Sequence, residues 1–328
     1  MLSRRLLLAF GATLAAGTLI VPATPSAAQQ PDTVTVDWAY YNPVSLVVKQ
    51  QGWLEEELGA DGIGIRWVQS LGSNKALEFL NAGSIDFGST AGAAALLAKI
   101  NGNPIETIWI YSKPEWTALV TRPDTGIAKV EDLKGRRVAA TKGTDPYIFL
   151  LRALGRHGLA VGDIDLVLLQ HDQGRLALER GDVDAWAGLD PMMADVEISR
   201  GFPLFYRDPD ANTYGVLNVR EEFAAEHPDL VQRVLKVYER GRQWALQNPD
   251  QLAKVLADAA KLPGPVAAKQ LERTQFVEPR PGDAQRQTIL AAGQALQAAG
   301  VIKPDVDVTT TVDALIEPSF ATDVATGP

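Results

Sequence analysis

Apolar positions along this chain follow two periods in turn. Over residues 33–40 every second residue (Val34, Val36, Trp38, Tyr40) is apolar, as in a strand with one buried face. Over 44–58 the apolar residues recur at helical spacing, which predicts one amphipathic helix. The alternation continues with a strand over 63–68, a helix over 74–81, a strand over 85–88 and a helix over 91–100. A second series opens with an apolar strand over 117–121 and a short helix over 130–135. It goes on with a strand at 138–141, a helix at 146–157, a strand at 166–169, a helix at 174–179, a strand at 183–187 and a helix from Pro191. After a strand over 214–219 the pattern turns helical: 221–226, 229–247, 249–260, 265–274 and 281–299. Pro228, Pro249 and Pro281 stand where a first-turn proline belongs. Strand–helix alternation predicts an α/β protein whose mostly parallel sheets carry helices on their faces.

One short pattern occurs twice. Leu80-Asn81-Ala82-Gly83-Ser84-Ile85-Asp86 and Leu178-Glu179-Arg180-Gly181-Asp182-Val183-Asp184 each end a helix at Gly and pass into an apolar strand carrying Asp. The segments before them match as well, strand to Asn42-Pro43 to helix and strand to Asp145-Pro146 to helix. Two similar α/β units predict two lobes with a ligand cleft between them. Lobe one is expected to be discontinuous (32–116 and 217–328), lobe two continuous (117–216). The strands at 117–121 and 214–219 are read as crossings that act as a hinge.

Composition narrows the partners. A chain of 328 residues with net charge −9 does not suit a nucleic-acid or anionic-membrane binder, which needs a basic surface. Arg4 and Arg5, the apolar run 6–21 and Ser26-Ala27-Ala28 predict an export signal over 1–28, twin-arginine or general secretory, and a periplasmic address. The chain has no cysteine, so a thiolate nucleophile, a disulfide and a lipid-anchored terminus are excluded.

In open α/β sheets ligands bind beyond the C-terminal strand ends, where helix N-termini attract anions. Four such corners are expected: Tyr41-Asn42-Pro43, Ser89-Thr90-Ala91, Gly143-Thr144-Asp145 and Asp190-Pro191. Asn42, Asp145 and Asp190 read as N-caps before a proline. The candidate ligand-binding residues are Tyr41, Asn42, Ser89, Thr90, Ala91, Trp116, Gly143, Thr144, Asp145, Trp186, Asp190 and Tyr214, with Trp186 expected as a cleft wall. The three histidines have no metal-ligand spacing, and His171 reads as a surface-loop residue. No phosphate loop, dinucleotide fingerprint or nucleophile elbow is present, so neither a cofactor nor a metal nor a catalytic residue is assigned.

Leu80–Gly88, Val130–Ala139, Lys142-Gly143-Thr144, Gly181–Pro191, Phe223–Asp229 and Gly300-Val301-Ile302 carry a further signal. Over nearly the whole mature chain these motifs resemble the periplasmic substrate-binding proteins of ABC importers, in the aliphatic sulfonate/taurine/nitrate-type group. The resemblance implies a type II-like two-lobed fold that closes like a clam shell. It implies a monomeric receptor that hands a small organic anion to an inner-membrane permease, with the head group at Ser89-Thr90 and Gly143-Thr144. Nitrate, a thiamine-pyrimidine precursor and other small acids remain alternatives to a sulfonate, as do an enzyme or a sensor on the same fold. Two departures stand out: Ser89-Thr90-Ala91-Gly92 replaces Tyr-Thr-Gly-Asp, and Asp145-Pro146 follows Thr144. Asp145 or Asp190 is therefore expected to offset an ammonium on the ligand, as in an aminoalkyl sulfonate.

Overall fold

The computed structural model describes residues 30–322 and 324; the predicted export signal lies outside the described residues. The chain opens β1 (Thr33–Trp38), α1 (Pro43–Gln51), α2 (Trp53–Gly59), β2 (Gly64–Gln69), α3 (Ser73–Asn81), β3 (Phe87–Ala91), α4 (Gly92–Ile100) and β4 (Ile105–Pro114). It continues β5 (Leu119–Thr121), β6 (Arg137–Ala140), α5 (Asp145–Arg156), β7 (Asp165–Leu168), α6 (His171–Arg180), β8 (Ala185–Ala187), α7 (Met192–Arg200) and β9 (Leu204–Tyr206). It closes with β10 (Gly215–Arg220), α8 (Glu221–Glu226), α9 (Pro228–Gln247), α10 (Pro249–Ala260), α11 (Gly264–Glu272) and β11 (Thr274–Gln275). Three helices end it: α12 (Asp283–Ala298), α13 (Val308–Leu315) and α14 (Ser319–Thr322).

These strands form two sheets, ordered β11-β4-β10-β3-β1-β2 and β7-β6-β8-β5-β9. Each has a parallel centre, β2-β1-β3 and β7-β6-β8, extended on one side by antiparallel strands, so both sheets are mixed. The orders correspond position by position, with β10 matching β5 and β4 matching β9. Each antiparallel insert, β5 or β10, lies just after a crossover from the other sheet. Residues 117–121 and 214–219 therefore do not span the two sheets, since β5 and β10 each lie wholly within one. The chain crosses at 115–118 and 207–214. These two segments are tied together: Thr117 N donates to Asn212 Oδ1 at 3.0 Å, and Arg207 bonds both oxygens of Glu115 at 2.6 and 2.7 Å.

The repeated aspartate has the same task in both units. Asp86 N donates to Thr35 O, and Asp86 Oδ2 accepts from Thr35 N, both at 2.8 Å. Asp184 N donates to Arg137 O at 2.8 Å and Asp184 Oδ2 accepts from Arg137 N at 2.9 Å. The side chain extends the ladder by one bond where a strand begins, which fixes the register of β1 and of β6.

Two expectations change. The single helix over 44–58 is broken at Gly52, whose φ of +67° is left-handed, giving α1 and α2. The ten-residue strand β4, central to the first sheet, was absent from the sequence reading. Eight of its residues are buried, Thr107 and Ser112 among them, so both faces are covered and period-two alternation is missing.

Candidate functional site

Three helix starts meet where the two sheets face each other. Helices α3, α5 and α6 begin at Ser73, Asp145 and His171, and none has a side-chain cap on its first-turn N–H groups. Ser73, Thr144, Asp145 and His171 line one inner cavity with Tyr41, Trp116, Pro146 and Leu189. Its volume is about 10 Å³, room for one water-sized group. A wider pocket of about 230 Å³ opens outward from it, sharing Tyr41 and Leu189. Tyr40, Leu71, Met192 and Leu262 form its apolar walls, and Asp172, Arg175, Asp190 and Asp195 its charged ones. A larger groove of about 680 Å³ lies elsewhere, between α5 and α12. Its cations Arg152 and Arg156 are already bonded to Ala211 O and Asp208, so it offers less to a polar ligand.

Of the residues expected at the site, Tyr41, Trp116, Thr144, Asp145 and Asp190 line these two cavities, and Gly143 abuts Asn74 at their edge. Asn42, Ser89, Thr90, Ala91, Trp186 and Tyr214 line neither. The first three belong to a buried network inside the first unit. Asn42 caps α1 through Ser45 N and donates to Ser89 Oγ; Ser89 Oγ–H donates to Asp37; Thr90 Oγ1 accepts from Asn218. Asp37 has its carboxyl raised to about 6 by burial. The start of α4 is covered as well: Gly92 N donates to Tyr214 O and Ala93 N to Thr213 Oγ1, so the returning chain occupies the place expected for an anion. Trp186 points away from the cleft. Its neighbours Ala185 and Ala187 face the main core, so alternation along β8 sends Trp186 into a smaller core with Leu178, Val183 and Met193.

The two aspartates are differently engaged from expectation. Thr144, not Asp145, is the N-cap of α5. Asp145 accepts from Trp116 Nε1 at 2.9 Å, Thr213 N at 3.0 Å and Thr213 Oγ1 at 2.8 Å, tying α5 to both crossovers. Burial raises its carboxyl while these donors pull the other way. Asp190, 1% exposed, accepts from Ala194 N at 2.9 Å and faces Arg273 Nη1 at 3.4 and 3.5 Å. Burial raises it to about 7 despite that guanidinium. Neither carboxylate is free to meet a ligand ammonium.

His171 is the largest correction. It is 1% exposed and opens α6 rather than lying in a surface loop. Burial lowers it to about 3, so the ring is neutral at physiological pH. Ser73, Leu189 and Arg273 were also missed. The Ser70-Leu71-Gly72-Ser73 turn before a helical run was the available signal for Ser73; Arg273 had none, because it reaches Asp190 across 83 positions of sequence.

The family described as NMT1/THI5 like matches residues 43–252. A Bacillus subtilis (strain 168) protein named as an aliphatic sulfonates-binding protein is 28% identical over 70% of this chain and 70% of its own length. An Escherichia coli (strain K12) protein of the same name is 31% identical over 63% of this chain and 66% of its own length. Among solved structures, the periplasmic aliphatic sulphonate binding protein SsuA from Escherichia coli superposes with a TM-score of 0.73. It is 25% identical, over 88% of this chain and 94% of that one. The alkanesulfonate-binding protein SsuA from Xanthomonas axonopodis pv. citri, bound to MOPS, has a TM-score of 0.80 at 24% identity, over 88% and 99% of the two chains.

Proposed function

The chain belongs to the NMT1/THI5-like family, and we propose that it is a periplasmic solute receptor that binds a small organic anion of the sulfonate class for an ABC importer. The observation that carries this reading is the meeting of three uncapped helix starts, α3 from one unit and α5 and α6 from the other, on one small cavity that leads into the outer pocket. First-turn N–H groups and helix dipoles bind an oxyanion without a charged side chain. The apolar walls of the outer pocket suit the carbon tail of a sulfonate. The names of the relatives point to the same ligand class.

The ligand-binding set of this reading is Tyr41, Ser73, Trp116, Gly143, Thr144 and His171. Lobe one comprises residues before the first crossover and after the second, lobe two those between them. Ligand bridging α3 to α5 and α6 stabilises the closed arrangement, and an inner-membrane permease reads the two lobe surfaces in that geometry. The receptor acts as a monomer, exported by its N-terminal signal. Its work is binding rather than catalysis: the cleft histidine is neutral and buried, the buried carboxylates Asp145 and Asp190 are engaged, and no thiol exists in the chain. A relative in Legionella pneumophila, 23% identical, is named as a pyrimidine phosphate synthase, so the assay includes pyrimidines.

Thermal unfolding of the mature chain against alkanesulfonates, taurine, nitrate, sulfate and pyrimidines tests the proposal. A selective rise of the midpoint with sulfonates is expected, about 2.7 kcal/mol of added stability at a hundredfold excess over Kd. A rise with nitrate or a pyrimidine alone would replace the ligand class.

A further inference from the structure

Resting on the sulfonate reading, we propose that His171 is a specificity residue: its Nε2 lone pair accepts a hydrogen bond from an amino or hydroxyl group beside the ligand's anionic head. The tautomer follows from its neighbours. Thr141 Oγ1 has one hydrogen and gives it to Leu169 O at 2.8 Å, so at 3.1 Å it must accept from His171 Nδ1–H. The other ring nitrogen therefore carries a bare lone pair. It has no partner, although the ring is buried and lines the inner cavity. Three donors of the lining are spent, Tyr41 OH on Ser89 O, Trp116 Nε1 on Asp145 and Thr144 OH on Thr141 O, while Ser73 Oγ accepts from Ala91 N and does not bond the ring.

A second acceptor converges on the same place. A Cβ built on Gly72 would lie 2.9 Å from Asn74 Oδ1 and 3.0 Å from His171 Nε2. Asn74 Oδ1 is also buried without a partner, so these two atoms do not bond each other. They belong to α3 and α6, whose first turns face each other across the cleft. A sulfonate carries only acceptors, and its oxygens would repel both atoms. Backbone N–H groups of the helix starts satisfy the sulfonate, and the two side-chain acceptors need a ligand N–H or O–H next to it. The ligand class is thus a 2-amino- or 2-hydroxyalkanesulfonate rather than a plain alkanesulfonate. The acceptors are His171 and Asn74, in place of the aspartates expected from the sequence.

Calorimetric titration of the mature protein with taurine, isethionate and ethanesulfonate, which share chain length, tests this. Taurine or isethionate is expected to bind about tenfold tighter than ethanesulfonate, because a buried acceptor left unpaired is penalised. In His171→Phe the ratio of taurine or isethionate affinity to ethanesulfonate affinity falls to about one; His171→Gln, whose amide oxygen accepts, keeps part of it. If the variants fail to fold, the wild-type protein answers alone. With 15N-labelled histidine, of which there are three, one Nε2 resonance shifts on adding taurine or isethionate and stays in place with ethanesulfonate. Equal affinity for all three ligands, or a preference that survives His171→Phe, overturns the proposal and leaves the sulfonate receptor standing. Binding of none of them overturns that reading, and this inference with it.

Discussion

Replacing Arg273 with Met tests whether the closed cleft is held by one buried cation. Arg273 ends α11, in the unit that contains the first sheet, and α11 packs on α7 of the other unit. Its guanidinium faces Asp190 at 3.4 and 3.5 Å and contacts Glu197. Both Arg273 and Asp190 are nearly inaccessible to water. Removing one partner of a buried pair costs about 3–5 kcal/mol, because the other charge is left uncompensated. The separations to Asp190 exceed the 2.7–2.9 Å of a strong charge-assisted bond, and Glu197, partly exposed, is rehydrated when the cation goes, so the low end, about 3 kcal/mol, applies. Opening the cleft hydrates Asp190, so the cost falls on the closed form alone. Apparent ligand affinity then drops somewhat over a hundredfold. X-ray scattering of the unliganded variant is expected to give a larger radius of gyration than wild type, and taurine titration the weaker affinity.

The sign with pH follows from Asp190, which burial raises to about 7 even with the Arg273 guanidinium pulling it down, and which rises further in the variant that lacks that cation. Closure then takes up a proton, so affinity of the variant recovers as pH falls from 8 through 7 toward 5. Arg273→Met combined with Asp190→Asn should recover affinity at all pH values. Unchanged scattering, together with affinity within threefold of wild type, would refute the latch.

Gly72→Ala places a methyl 3.0 Å from His171 Nε2 and is expected to weaken ligand binding about tenfold. The urea midpoint should stay near wild type, because the His171 contact exists only when α3 and α6 meet and Asn74 Oδ1, at 2.9 Å, is the end of a side chain that can swing aside. Burial lowers His171 to about 3, below its ordinary value near 6.5, so native stability is present above 6.5 and is lost as pH falls toward 3. Relative to His171→Gln, wild type should lose about 1.4 kcal/mol per pH unit in that window, read by urea unfolding at several pH values. Asp37, raised to about 6, contributes the opposite slope equally to both proteins and cancels. Asp184→Ala frees Arg137 N at a half-exposed site and should cost about 1 kcal/mol; Asp86→Ala also takes from Arg220 one of its two carboxylate partners, leaving Glu222, and should cost about 2 kcal/mol. Equal losses in the two variants would mean that the Arg220 pair adds nothing.

The two-unit architecture was legible because its cause is local. A helix that ends at Gly83 or Gly181 and a strand that starts with a clamped Asp leave the same spelling in both units. Periodicity found α5, α9 and α10 for the same reason: one face of each is buried and the other wet. It missed β4 because both of that strand's faces are covered. The crossing points were misplaced by a few residues, since β5 and β10 are as apolar as any core strand and sequence does not say which sheet they join.

The site was legible only where a helix start is free, and a sequence does not display that condition. Ser89-Thr90-Ala91 and Gly143-Thr144-Asp145 look alike as hydroxyl-rich corners before helices. They differ because Thr213 and Tyr214, more than a hundred residues past the first corner, bond the first N–H groups of α4, while the start of α5 has no side-chain cap. The same returning segment reaches both corners: Thr213 Oγ1 accepts from Ala93 N and donates to Asp145. One threonine thus closes the α4 corner and, by engaging Asp145, removes the carboxylate that would repel an anion at the α5 corner. Thr213→Val should undo both effects at once. It unpairs Ala93 N and leaves Asp145 with only Trp116 Nε1 and Thr213 N. The buried carboxyl, already raised by burial, then rises further. Anion affinity is expected to fall most at high pH, where Asp145 is ionised, and least at low pH, where it is neutral. An affinity loss that does not change with pH would mean that Thr213 acts on the shape of the cleft rather than on the charge of Asp145.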